Sequence, residues 1–348
     1  MQVLSAAQAI SPAIERTRNL LFRPFRWGTF LKLCVVAVLT EGFSGNFNSS
    51  HHGHSAQVQP GIDHLAIHFS PAWIEGIAAI ALAVFVVSFV IFYLIVRLRF
   101  ALFECLIHQS TLIAPGWHKY RSQAWRFFLL SIVVGFIFLA VIALISLPFV
   151  FGFLHLYQEG QLSGQFPVAG FLSLLLPLIP VILLIVLVAV CVDIILRDFM
   201  LPHIALEDAS AGQAWTAVRV RIAREKGAFA LYAVLRVLLP VVAMLAIFVI
   251  LAIPGILVFG VLGVSAVALY TAISHAALPL MIAGWFLEAL LGLLILGLAL
   301  LLIISFDGLL AIAVRNYALL FYGSRYQALG EILFPAPPAP PAMQPGTA

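Results

Sequence analysis

The chain has 348 residues, 64% of them hydrophobic and 9% charged, with a formal net charge of +4. Soluble globular domains carry charge on about a quarter of their residues, so this composition excludes a soluble enzyme or nucleic-acid-binding module and implies an all-α polytopic membrane protein. The basic excess is therefore informative through its distribution along the chain, and it does not point to a nucleic-acid partner.

At the N-terminus Arg16, Arg18, Arg23 and Arg26 precede the first apolar run, and no small-x-small cleavage site follows it cleanly. The run reads as a retained span and not as a signal peptide. A hydrocarbon core of about 30 Å needs roughly 20 apolar residues per helix. Six stretches are predicted to cross, over 27–43, 72–96, 127–154, 171–196, 229–260 and 280–304. The apolar piece 254–280 is predicted to follow a bend at Pro254 and Gly255 as a re-entrant or interfacial segment.

All 18 Lys and Arg residues fall in four groups, Arg16 to Lys32, Arg97 to Arg126, Arg197 to Arg236, and Arg315 with Arg325. With six spans, that pattern puts both termini on the cytoplasmic side of a bacterial inner membrane. Three helical hairpins in tandem are predicted, each introduced by a short amphipathic helix on the cytoplasmic surface. The tail 335–348, rich in Pro and Ala, is predicted to be a disordered cytoplasmic extension. Cys34, Cys105 and Cys191 lie in or beside apolar runs and read as buried free thiols.

Two echoes accompany the basic groups. Arg99-Phe100-Ala101-Leu102, Arg197-Asp198-Phe199-Met200-Leu201 and Arg315-Asn316-Tyr317-Ala318-Leu319 each follow a predicted span. Gln8-Ala9, Gln123-Ala124, Gln213-Ala214 and Gln327-Ala328 recur on the same side. Ser210 and Gln213 have the spacing of a capping box, with Gly227 as a stop. The helix between them carries Trp215, Arg219, Arg224 and Lys226, which with Arg97 and Arg99 are candidates for contact with lipid headgroups or a partner protein. Pro12 to Phe25 has the same character.

The segment "RDFMLPHIALEDASAGQAWTAVRVRIAREKGAFALY" and the opening "AISPAIERTRNLLFRPFRWGTFLKLCVVAVL" resemble the membrane-spanning domain found ahead of some glycerophosphodiester phosphodiesterases, and stand-alone bacterial and archaeal membrane proteins of unknown function. The resemblance implies a multi-helix membrane domain and no activity, because the soluble catalytic domain has no counterpart.

Charges at membrane depth cost at least about 2.5 kcal/mol on insertion scales, so partners are expected. Arg236 and Asp307 stand at similar depth and are expected to pair between the fifth and sixth spans, and Asp193 with Arg197 along one helix turn. Glu41, by its position at the end of the first span, is expected at the outer surface. The outer loop holds His51, His52, His54 and His64, imidazoles suited to zinc or another divalent metal. Its Gly- and Ser-rich surroundings supply donors without fixing them, so no cofactor is assigned. No GxxxxGK[ST], HExxH, CxxC or GxSxG occurs. The expectation is a non-enzymatic membrane-organising or accessory protein, with a transporter of a small or lipidic molecule as the alternative.

Overall fold

The computed structural model describes residues 3–42, 71–163, 168–273 and 278–335. Eleven α-helices are present among them: α1 Ile10–Phe22, α2 Trp27–Ala37, α3 Pro71–Ile107, α4 Ala114–Lys119, α5 Arg121–Ser163, α6 Val168–Ile194, α7 Leu201–Leu206, α8 Ala211–Arg224, α9 Lys226–Ile273, α10 Leu278–Gly323 and α11 Gln327–Leu333. Two π-helical turns, Val38–Gly42 and Ile195–Met200, extend α2 and α6. Five helices, α3, α5, α6, α9 and α10, are long and apolar enough to cross a membrane. The protein is an all-α, multi-pass membrane protein.

The helices continue well past their apolar stretches. α9 has 48 residues, about 72 Å at 1.5 Å per residue, more than twice a hydrocarbon core. It is continuous through Pro240 and Pro254, so the piece expected to be re-entrant or interfacial continues α9 as far as Ile273. The same basic segments that end the predicted spans are helical too, because their arginines turn inward and need not stop at an interface.

Burial is concentrated at that basic end. Phe100, Phe103 and Leu106 of α3, Phe127 and Phe128 of α5, Phe199 of the second π-turn, Tyr232 of α9, and Tyr317, Phe321 and Tyr322 of α10 are buried. Farther along the same helices large apolar side chains face outward, reaching 72% exposure at Ile256 and 74% at Phe286, as lipid-facing surface does.

The first predicted span is corrected by this packing. α2 with its π-turn covers only Trp27–Gly42 among the described residues, and Phe30, Leu33, Cys34, Val36 and Ala37 are buried. Cys34 approaches the Ser305 carbonyl oxygen at 3.8 Å, and seven residues later Glu41 lies 3.9 Å from Arg315. The helix therefore runs parallel to α10 toward the basic end, inside the core of that end. Apolar segments that fall short of about 20 residues are often buried core helices, and hydropathy alone does not separate these from spans. Gly308 makes the close approach possible, since a Cβ there would come within 2.7 Å of the Cys34 carbonyl oxygen.

Candidate functional site

The two sequence echoes have different structural meanings. The aromatic residue of each Arg-aromatic triplet, Phe100, Phe199 and Tyr317, is buried in the core. The Gln-Ala pairs mark helix starts. Ser5 and Gln8 exchange two hydrogen bonds at 3.0 and 3.2 Å across the turn that leads into α1, Ser210 and Gln213 two at 2.9 and 3.4 Å as the capping box of α8, and each is followed by a buried alanine, Ala9 and Ala214. α8 ends at Arg224 with Glu225 as its cap, and Gly227 belongs to α9.

The three repeat arginines, Arg99, Arg197 and Arg315, converge with Arg236 on one buried network. Arg315 Nη1 donates to Asp198 Oδ1 at 2.7 Å. Arg236 Nε and the Tyr232 hydroxyl donate to Asp198 Oδ2 at 3.1 and 2.8 Å. Glu41 sits between Arg236 at 3.4 Å, Arg197 at 3.5 Å and Arg315 at 3.9 Å. Arg197 Nε meets Asp193 at 2.7 Å, the i,i+4 pair expected from sequence. Four guanidinium groups thus face three carboxylates.

The π-turns build this arrangement. One carries Glu41 and the other Arg197 and Asp198, and such wide turns inside helices recur at functional positions. The Thr40 hydroxyl bonds back to Val36 and Ala37 carbonyls, while its own carbonyl, free at the helix end, accepts from Arg99 Nε at 3.1 Å. Arg99 is 7% exposed and forms no ion pair with any carboxylate among the described residues.

Arg236 and Asp307 do not pair. Asp307 lines a groove with Val241, Met244, Leu245 and Phe248. Val241 lies five residues beyond Arg236, about 140° around a helix of 3.6 residues per turn. Arg236 is level with Arg315, both on Asp198, while Asp307 lies eight residues, about 12 Å, farther along α10, so the shared depth expected from sequence does not hold.

A second polar cluster closes the basic end. His203, 1% exposed, holds Glu207 through Nδ1 at 2.9 Å and the Tyr322 hydroxyl through Nε2 at 2.8 Å, with Arg221 3.5 Å from Nε2. Partial burial pushes the Glu207 carboxyl up, but the hydrogen bond with His203 and the charges of His203 and Arg221 hold it below the usual carboxylate range. A third cluster ties α3 to α4, where Glu104 accepts from Lys119 at 2.7 Å and from the Tyr120 hydroxyl at 2.6 Å. Burial and that carboxylate push the Tyr120 phenol up.

This helical arrangement belongs to a chain that one family profile covers from residue 4 to residue 332. The chain belongs to DUF7544, a family of unknown function. No curated protein and no solved structure matches it.

Within the DUF7544 chain the sequence-derived interface candidates separate. Trp215, Arg219, Arg224 and Lys226 are exposed on α8 and at the start of α9, whose inner contacts are Ala214 and Val218. Arg97 is half-buried, its guanidinium 4.1 Å above the Trp117 ring. Arg99 faces the interior and not an outer surface. Among the described residues no group of three metal-ligating side chains converges; His51, His52, His54 and His64 lie outside the described residues, as does the tail beyond residue 335. Asp198 and His203 were not singled out from sequence. The signal for Asp198 was present, an acid directly beside a repeat arginine in an apolar stretch.

Proposed function

We propose that this is a non-enzymatic membrane protein that organises the lipid headgroup layer, with its basic end on the cytoplasmic side. The observation that carries the reading is the turn between α1 and α2. Phe22, Phe25 and Trp27 are 41%, 45% and 65% exposed and pack mainly on one another and on Phe30, with ring centroids 5.2–6.0 Å apart. Arg18, Arg23 and Arg26 stand exposed around them. Exposed rings flanked by cations suit the boundary between headgroups and acyl chains, and each surface cation contributes about 1 kcal/mol against an anionic leaflet. The outer face of α8, with Trp215, Arg219, Arg224 and Lys226, is a second exposed basic and aromatic surface, at the basic end, and the charge distribution favours the cytoplasmic leaflet.

The continuity of α5, α6 and α9 through their prolines favours this reading over transport, whose sites use discontinuous helices. The test is the lipid composition of polymer-excised native nanodiscs. Enrichment of anionic lipid over the bulk membrane is expected, and its loss in the variant Arg18→Gln, Arg23→Gln, Arg26→Gln. Bulk composition around the wild-type protein would overturn the reading.

A further inference from the structure

Arg99 has a cost and a location that need an explanation together. A buried guanidinium with no carboxylate within ion-pair distance is unfavourable, and the two carboxylates whose charges reach Arg99, Glu41 and Asp193, are shared with Arg236, Arg315 and Arg197. Only Nε of Arg99 is spent on the Thr40 carbonyl. The remainder of the group borders a cavity of about 250 Å³ between α3, α5 and α6.

That cavity is graded from polar to apolar along the membrane normal. At its basic end are Arg99, Arg197, Asp193 and Ser131; the Ser131 hydroxyl is already committed to the Phe127 carbonyl at 2.8 Å. Its walls are Phe92, Phe138 and Ala189. Seven residues separate Phe92 from Arg99 and eight separate Ala189 from Arg197, about 10 and 12 Å along their helices, in the direction of the exposed apolar surface. The volume is somewhat below the roughly 300–1,000 Å³ of small-molecule pockets. It accepts a compact head and the first carbons of a chain, the rest continuing into the bilayer.

We propose that this cavity binds one anionic phospholipid-like amphiphile, its phosphate on Arg99 and its chain against Phe92, Phe138 and Ala189. The phosphate supplies the charge that the four-guanidinium, three-carboxylate network lacks, and the two Nη groups of Arg99, which donate to no acceptor among the described residues, offer the planar fork that phosphate accepts. The site is separate from the α1–α2 surface, so either can fail alone.

The test uses the full chain, delipidated in uncharged detergent, and three probes: dihexanoyl phosphatidic acid, dihexanoylglycerol and inorganic phosphate. Binding is read by native mass spectrometry and by the shift in thermal midpoint. Phosphatidic acid is expected to bind as a single copy and raise the midpoint, with the other two at least about tenfold weaker. Arg99→Gln is expected to weaken phosphatidic acid about tenfold or more. Gly135→Leu keeps every charge and fills the cavity from α5, where a Cβ at Gly135 meets nothing within 4 Å; the same loss is expected, and this variant decides if Arg99→Gln does not fold. Wild-type affinity in Gly135→Leu, or equal binding of dihexanoylglycerol, would overturn the proposal. Equal binding of inorganic phosphate would overturn the lipid assignment in favour of a soluble anion.

Discussion

Arg315 and Asp198, 117 positions apart in the chain, meet at 2.7 Å with both side chains buried. The contact joins α10 to the π-turn after α6, and through Arg236 and Tyr232 the same carboxylate holds α9. Asp198→Ala leaves two buried guanidinium groups without their shared acceptor, a loss of about 3–5 kcal/mol. Reversible unfolding in mixed detergent should show it, and Asp198→Leu should do no better because the arginines remain.

Asp307 makes the contrasting case. Its carboxylate lies in the α9–α10 groove away from Arg236, so Asp307→Ala should change stability by under about 1 kcal/mol, near the usual range for sites outside such networks. A double-mutant cycle with Arg236→Ala should be additive within about 0.5 kcal/mol. Coupling above that would restore the pair that depth alone suggested.

Gly308 and Gly135 should respond oppositely to alanine. At Gly308 the new methyl meets the α2 backbone at Cys34, and overpacking of this kind costs about 1–3 kcal/mol. At Gly135 the space is open, and replacing a helical glycine gains up to about 1 kcal/mol. Thermal midpoints of the two single variants give the comparison directly.

The Glu207 carboxyl titrates below its ordinary range in the fold. A depressed folded value contributes stability that is present above the unfolded value of about 4.3 and is lost as pH falls through the folded one. Unfolding midpoints should therefore drop as pH goes from about 5 to below 4, and Glu207→Gln should flatten that drop. An unchanged acid limb in the variant would remove Glu207 from the network around His203.

Class and periodic detail were readable from sequence, while long-range convergence was not. The Ser210–Gln213 capping box and the Asp193–Arg197 pair depend on residues three and four apart, so their geometry is local. The Arg99, Arg197 and Arg315 triplets were visible as a repeat, but a repeat carries no information on whether its members face lipid or one another. Depth counted from the ends of the basic segments matched Arg236 with Asp307; the packing of Tyr232 on Phe199 instead sets α9 so that Arg236 is level with Arg315 at Asp198. The first apolar run was misjudged because a short core helix, Trp27–Gly42 with its π-turn, and a short span have the same hydropathy. Glu41, placed by that span at the outer surface, instead lies among the arginines.

The central claim is that the basic ends of α6, α9 and α10 are locked by one buried charge network. The measurement that bears on it most directly is a double-mutant cycle on Asp198→Ala and Arg315→Ala by equilibrium unfolding in detergent. The account predicts a coupling energy of about 1–3 kcal/mol. Additivity within about 0.5 kcal/mol would contradict it.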